Sequence, residues 1–354
     1  MTREDGAALR SLGWDETWQA AFAPHAEEGA APGRIAAPHR GATYDVLTGA
    51  GEVRARLPGS TRQKMAVADR PVVGDWVTLH QTGRGAPTID EVLPRRTKLS
   101  RRAAHEPGEG RAREQVVAAN VDIVFITVSL AEEPDPRLLE RYLTLAWDSG
   151  GRPVILLAKA DLEDDPDARA ADLAPIVGDS SVIPVSARTG AGLDRVRAAL
   201  APGTTGALIG PSGVGKSTLV NALVGDELLA TGSMARDGTG RHTTTRRQLV
   251  VLPGGGMVVD NPGIRELYLW VAGEGLEEAF ADVVEIASHC RFQDCRHETE
   301  PGCAIQVALA DGTLSQERWA SYRELDLELA ELDAQLERQE RSRARRGRPG
   351  TGDS

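Results

Sequence analysis

Three hydrophobic patterns succeed one another along the chain. Between residues 34 and 118, short runs such as Thr43–Leu47, Glu52–Leu57 and Val72–Leu79 alternate apolar with polar positions and are separated by glycine or proline. Such period-two alternation, broken about every ten residues, predicts a small antiparallel β-barrel. From residue 119 the runs become continuous. Val121–Val128 and Val154–Leu157 are almost wholly apolar, as strands covered on both faces are. Helical spacing lies between them at Leu138, Leu139, Tyr142, Leu143 and Ala146, and more strands are predicted at 181–185, 206–209, 248–252 and 257–260, with a helix near 193–200. This βα alternation predicts a doubly wound, mostly parallel sheet. Near the C-terminus Trp319, Tyr322, Leu325, Leu329, Leu332 and Leu336 recur every third or fourth residue, an amphipathic helix. The expected organisation is multidomain: an N-terminal extension (1–33), the barrel (34–118), an α/β domain (119–274) and a helical C-terminal domain (275–354).

Charge changes this picture in one place. The whole chain carries −11, which argues against a uniformly basic coat for nucleic acid. Residues 34–118 nevertheless hold 15 basic against 9 acidic side chains, and every other segment is acidic. Arg54, Arg56, Arg62 and Lys64 should lie on or beside barrel strands, and Arg95, Arg96, Lys98, Arg101 and Arg102 follow near its exit. A patch of this kind is a candidate for contact with nucleic-acid phosphates, against the alternative of a solvated polar face. The tail 338–348 holds six arginines and is expected to be disordered, with some affinity for RNA. No apolar run approaches the ~20 residues of a membrane span, and the N-terminus lacks a secretory core, so a cytoplasmic protein is expected.

The chemistry is concentrated in a few segments. Gly210-Pro211-Ser212-Gly213-Val214-Gly215-Lys216-Ser217, followed by Thr218, matches the phosphate-binding P-loop between a predicted strand and a predicted helix. The glycines let backbone N–H groups converge on phosphates at a helix N-terminus. Lys216 is suited to the β/γ-phosphates and Ser217 to Mg²⁺. Asp260, at the end of a later strand, is placed to hold the Mg²⁺ shell, and the Gly263 amide to meet the γ-phosphate. Between them, Thr243 or Thr244 in the loop Gly240–Thr245 is a candidate to complete the Mg²⁺ coordination, and spacing does not choose between them. Upstream, Ala158-Lys159-Ala160-Asp161 and Ser186-Ala187-Arg188 each follow a predicted strand; an Asp there can pair with the N1–H and exocyclic amine of guanine.

The three cysteines all lie within 290–303, which excludes a disulfide scaffold in a reducing compartment. With His297, the spacing Cys290-x4-Cys295-x-His297-x5-Cys303 offers a closed tetrahedral set for one structural Zn²⁺.

Together these segments resemble the ribosome small subunit-dependent GTPase A family, over roughly residues 34–310. The base-recognition segments precede the P-loop, so the usual GTPase order is circularly permuted. The resemblance implies an OB-fold barrel, a permuted GTPase domain and a zinc module. It also implies GTP hydrolysis late in maturation of the small (30S) ribosomal subunit, stimulated by that subunit, with its rRNA as the partner of the barrel. A monomer is expected. Two positions bear on that reading. The family's guanine motif normally begins with Asn, where this chain has Ala158, so weaker nucleotide binding is expected. Ile264 follows Gly263 where many GTPases place a water-orienting Gln, which implies slow intrinsic turnover. Two alternatives remain at this level: a GTP-dependent switch on another RNA or protein, and an RNA-binding module with a regulatory nucleotide site.

Overall fold

The computed structural model describes residues 3–81, 83, 85–102, 114–225, 248–260 and 274–346. Two helices, α1 (Arg3–Ser11) and α2 (Glu16–Glu27), lead into β1 (Ala31–His39), β2 (Thr43–Thr48), β3 (Gly51–Arg56), a short α3 (Gly59–Lys64), β4 (Trp76–His80) and β5 (Thr88–Val92). The five strands close into a barrel in the order β1-β2-β3-β5-β4, the OB-fold arrangement. Its interior is filled by the inward members of the alternating runs, including Ile35, Val46, Ala55, Val77 and Ile89. The barrel is not wholly antiparallel. The closing contact between β3 and β5 is parallel, at Arg56 opposite Thr88, because α3 and β4 return the chain to the same end.

The barrel strands stop at Val92; β6 (Lys98–Arg102) and β7 (Glu114–Ala119) form a separate antiparallel pair. A six-stranded sheet follows, built from β8 (Ile123–Ser129), β9 (Arg152–Ala158), β10 (Ser181–Val185), β11 (Thr205–Ile209), β12 (Gln248–Val251) and β13 (Met257–Asp260). Its order is β10-β9-β8-β11-β13-β12, parallel throughout except for β12, which pairs antiparallel with β13. One face is covered by α7 (Leu193–Ala199) and α8 (Lys216–Val224), through Phe125, Leu156, Leu208, Val220 and Val258. The opposite face packs on α4 (Pro136–Asp148), and α5 (Pro166–Asp172) and α6 (Ala174–Val177) complete the layer between β9 and β10.

The C-terminal helices α9 (Glu274–Ala279), α10 (Ala281–Ser288), α11 (Ala304–Asp311) and α12 (Gln316–Arg346) share one hydrophobic cluster with α4. Arg318 of α12 joins them: it pairs with Glu140 of α4 at 2.7 Å and with Asp282 at 2.8 Å, over the Phe280 ring at 4.1 Å. Trp319 and Leu325 of the predicted stripe are buried, and Tyr322 and Leu329 pack against the same cluster. The expected disorder of the arginine-rich tail is corrected, because α12 continues to Arg346. Its last residues alternate Glu, Gln, Arg and Ala, good helix formers with no breaker before Gly347. Among the described residues no helix is long and apolar enough to cross a membrane.

The structure also corrects the reading of the basic segment. Arg95 is bound internally: it pairs with the buried Asp75 at 2.8 Å and donates to the carbonyls of Ala68 and Arg70. Arg96 pairs with Asp15, the N-cap of α2, and stacks 4.4 Å over Trp18. Arg34, 2% exposed, donates to the carbonyls of Leu12, Gly74 and Asn120. A buried guanidinium holds only where its fork is satisfied in this way. Arg54 is exposed but paired with Asp45 at 2.6 Å. The extension that carries Asp15 is part of the fold, with Trp14, Trp18 and Phe22 buried around Trp76.

Candidate functional site

The functional segments meet at one edge of the parallel sheet. β9, β10, β11 and β13 run in the same direction, so Ala158, Val185, Ile209 and Asp260 all lie at carboxyl ends. The segments that follow the first three are Lys159–Asp161, Ser186–Arg188 and the P-loop. In an open α/β sheet this edge is where ligands bind.

Sharp backbone turns make the phosphate loop. Gly210 has φ +136°, and a Cβ on it would lie 2.3 Å from the carbonyl oxygen of Thr127, so only glycine fits. Gly215, at φ +112°, is the N-cap of α8 and turns the chain into the helix. Val214 is buried and anchors the loop, while Ser212, Gly213, Ser217 and Thr218 are exposed. Lys216 curls back over the loop, its Nζ donating to the carbonyls of Gly210 at 2.7 Å and Pro211 at 2.6 Å. The backbone N–H groups at the start of a helix and one ammonium on the same loop are the elements of an anion cradle.

The second cluster stands across β8. Lys159 adopts a left-handed conformation, φ +60°, that turns the chain off β9 and delivers Asp161 toward the end of β10. The Asp161 Oδ1 accepts from the Ser186 hydroxyl at 2.5 Å. Its Oδ2 accepts from the Arg188 Nε–H at 2.8 Å, and Arg188 Nη2 lies 2.7 Å from the same oxygen as an ion pair. The Ser186 hydroxyl, chiefly, with the residue's own N–H and Arg188, holds this carboxyl below the usual carboxylate range against a burial effect of opposite sign. Asp161 is therefore an anion at neutral pH, as an acceptor for paired N–H donors must be. Ala158 is buried and supplies no polar atom. Thr127 lies on the same face of the adjacent strand, and its buried hydroxyl has no hydrogen-bond partner. Thr243, Thr244 and Gly263 lie outside the described residues.

The C-terminal cluster is built by two turns and a helix end. Ligand atoms of Cys290, Cys295, His297 and Cys303 all lie within 4.8 Å of one another. The Sγ atoms of Cys290 and Cys303 are 4.0 Å apart, and each is 3.5 Å from His297 Nδ1. A tetrahedron with metal–sulfur bonds of about 2.3 Å and metal–nitrogen bonds of about 2.05 Å requires separations of about 3.8 and 3.6 Å. The donor set thus fits a metal ion. Burial opposes the Cys290 thiolate, but the N–H groups of Ala304 and Ile305 at the start of α11 outweigh it and lower that thiol's pKa. The His297 ring is held edge-on against Trp319 at 5.5 Å.

Arg188 closes the Ser186-Ala187-Arg188 segment that the sequence singles out, but its pairing with Asp161, 27 residues earlier, has no pattern in the sequence. The spacing of Trp14, Trp18 and Phe22, four residues apart, is the sequence signal for the extension's packing face.

A P-loop and an ionised aspartate at one edge of a parallel sheet, with the aspartate's strand ahead of the P-loop in the chain, fit a circularly permuted GTPase. The sequence model of the RsgA GTPase family matches residues 92–270, and one described as 50S ribosome-binding GTPase matches 205–337. The chain is 43% identical over 345 residues to a small ribosomal subunit biogenesis GTPase RsgA of Streptomyces coelicolor, covering 96% of this chain and 92% of the relative. It is 44% identical to the RsgA of Methanosarcina acetivorans, over 90% of this chain and 84% of that one. Among solved structures, YjeQ from Thermotoga maritima superimposes with a TM-score of 0.63 at 28% identity, over 85% of this chain and 99% of that one. YloQ, described as a circularly permuted GTPase, superimposes with a TM-score of 0.59 at 26% identity, over 85% and 96%. The chain belongs to the RsgA GTPase family.

Proposed function

We propose that this chain acts in the cytoplasm as a monomer in biogenesis of the small ribosomal subunit, hydrolysing GTP to GDP and phosphate when that subunit stimulates it. The observation that carries this reading is the convergence of the phosphate loop and Asp161 on one sheet edge, in a chain whose relatives are named for that role. Guanine pairs with Asp161 beside Lys159. The triphosphate lies along residues 210–218, where Lys216 and the loop amides take up charge on the transferring phosphoryl group. Ser217 and Asp260 hold the Mg²⁺ that accompanies the nucleotide, with Thr243 or Thr244 and the Gly263 amide as further contacts. Cys290, Cys295, His297 and Cys303 hold one Zn²⁺; with no position left for water, it is structural.

The barrel is the proposed rRNA-binding surface, through cations not consumed by the fold. Arg56, Arg62 and Lys64 are exposed along the edge made by β3 and α3. Reversing all three to Glu is expected to weaken binding to small subunits in sedimentation assays and leave subunit-free GTPase activity unchanged. The slope of log affinity against log salt should flatten by about 0.7–0.9 per phosphate contact removed. Unchanged binding would move the RNA contact off the barrel.

Ala158 bears on the nucleotide site itself. Ala158→Asn restores an amide on the face where the Thr127 hydroxyl lacks a partner. One added neutral hydrogen bond is worth about 0.5–1.5 kcal/mol, so GDP and GTP should bind more tightly by up to about tenfold. Calorimetric titration with GDP checks this, and unchanged or weaker affinity would remove the amide from the account.

A further inference from the structure

The carboxylate assigned to guanine recognition is already occupied by this chain's own side chain. Arg188 donates its Nε–H to Asp161 Oδ2 at 2.8 Å and holds Nη2 2.7 Å from the same oxygen. Guanine offers the same kind of edge, an N1–H beside an exocyclic amine, and both are planar amidine-type donors aimed at a carboxylate. The other carboxylate oxygen is taken by the Ser186 hydroxyl, which is itself fixed: Ser186 is fully buried, and its oxygen accepts from the N–H of Thr189. Arg188 sits in the tight turn that closes this loop, where Gly190 N–H donates to the Ser186 carbonyl and Ser186 N–H to that of Ala191. Its backbone is therefore held within reach of Asp161. Its side chain is free to leave, because it is 74% exposed while that of Asp161 is only 12% exposed.

We propose that Arg188 is a displaceable latch on the base-reading carboxylate: its guanidinium stands in for the guanine edge at Asp161 until the nucleotide displaces it. The inference rests on the assignment of Asp161 to guanine. It gives the chain a built-in competitor with its own ligand. The pocket is competent only in the fraction of molecules whose Arg188 has swung out, so the apparent affinity is the intrinsic affinity reduced by that fraction. The latch acts on capture, not on release, because once guanine holds Asp161 the guanidinium has no role there. It also keeps the carboxylate's charge partnered while the pocket is empty. The bond is an exposed ion pair on the arginine side, and such pairs are weak. The expected penalty is about two- to fivefold, equivalent to about 0.4–1 kcal/mol at 1.4 kcal/mol per decade.

Stopped-flow binding of a ribose-labelled fluorescent GDP to the full chain tests this with Arg188→Ala and Arg188→Lys. Arg188→Ala is expected to raise the association rate constant by about two- to fivefold and to tighten affinity by the same factor, with an unchanged dissociation rate. Arg188→Lys lacks the paired planar donors and should fall between wild type and Arg188→Ala. Faster dissociation in Arg188→Ala would mean that Arg188 grips the bound nucleotide, and overturns the latch. Unchanged rates in a protein that binds GDP overturn it as well, leaving the base-site assignment standing. Failure of the wild-type chain to prefer GDP over ADP would instead overturn that assignment, and the latch with it.

Discussion

Replacing Lys216 with alanine is expected to abolish GTP turnover and leave the fold in place. The ammonium lies 2.7 and 2.6 Å from the carbonyls of Gly210 and Pro211, folded over the loop that would receive the phosphates. In the proposed site that charge would be directed at the β/γ-phosphates, where negative charge shifts as the γ-phosphoryl group transfers. Removing one preorganised electrostatic contact of this kind costs about 10²–10³ in rate, about 2.7–4 kcal/mol of barrier. The stability cost should stay near the surface-substitution range of about 0.5 kcal/mol, since Lys216 is half-buried at the first turn of α8 and its loss opens no apolar cavity. Single-turnover hydrolysis, paired with a thermal melt, reads both quantities. Near-normal turnover in a well-folded Lys216→Ala protein would take the chemistry away from this loop.

Metal removal should have the second large effect, confined to the C-terminal module. Cys303 is the buried N-cap residue of α11, His297 is fixed against Trp319, and Trp319 stacks on Tyr322 at 5.7 Å. Withdrawing the ion leaves three thiols and an imidazole crowded together with nothing to hold them. Structural zinc sites supply on the order of 10 kcal/mol to small folds, more than a module of this size retains otherwise. Chelation, or Cys295→Ser, is therefore expected to abolish hydrogen-exchange protection across α10 and α11 and to impair binding to small subunits. GDP binding should survive. The strands bearing the P-loop and Asp161 are backed on the α7/α8 face by a hydrophobic cluster that, among the described residues, includes none of the module. Fully folded protein purified without any metal would contradict the zinc assignment. Simultaneous loss of GDP binding would show that the shared core on the α4 face couples the two parts more strongly than the layered packing implies.

What the sequence made legible was mostly local. The continuous apolar runs marked β8 and β9, the glycines of 210–215 marked a strand-to-helix phosphate loop, and four donors within fourteen residues marked the metal cluster. Each depends on a few neighbouring residues, so spacing alone exposes it. Arg95 and Arg96 read as an RNA-facing patch because their partners, Asp75 and Asp15, lie 20 and 81 residues away. A charge pattern records how many cations there are and not which of them the fold neutralises. The antiparallel placement of β12 and the parallel closure of β3 on β5 depend likewise on connections that hydrophobic periodicity does not encode. The same limit hid the pairing of Arg188 with Asp161, which appears only when the end of β9 and the loop after β10 are brought side by side. The tail is the reverse case: composition suggested disorder, while the local helix propensity of 338–346 agrees with the observed helix.

The most direct test of the central claim is GTP turnover measured with no ribosomal particles, with purified small subunits and with purified large subunits. The account predicts slow hydrolysis alone, a rise of at least about tenfold with small subunits, and no comparable rise with large ones. Turnover indifferent to small subunits, or raised equally by large ones, would contradict it.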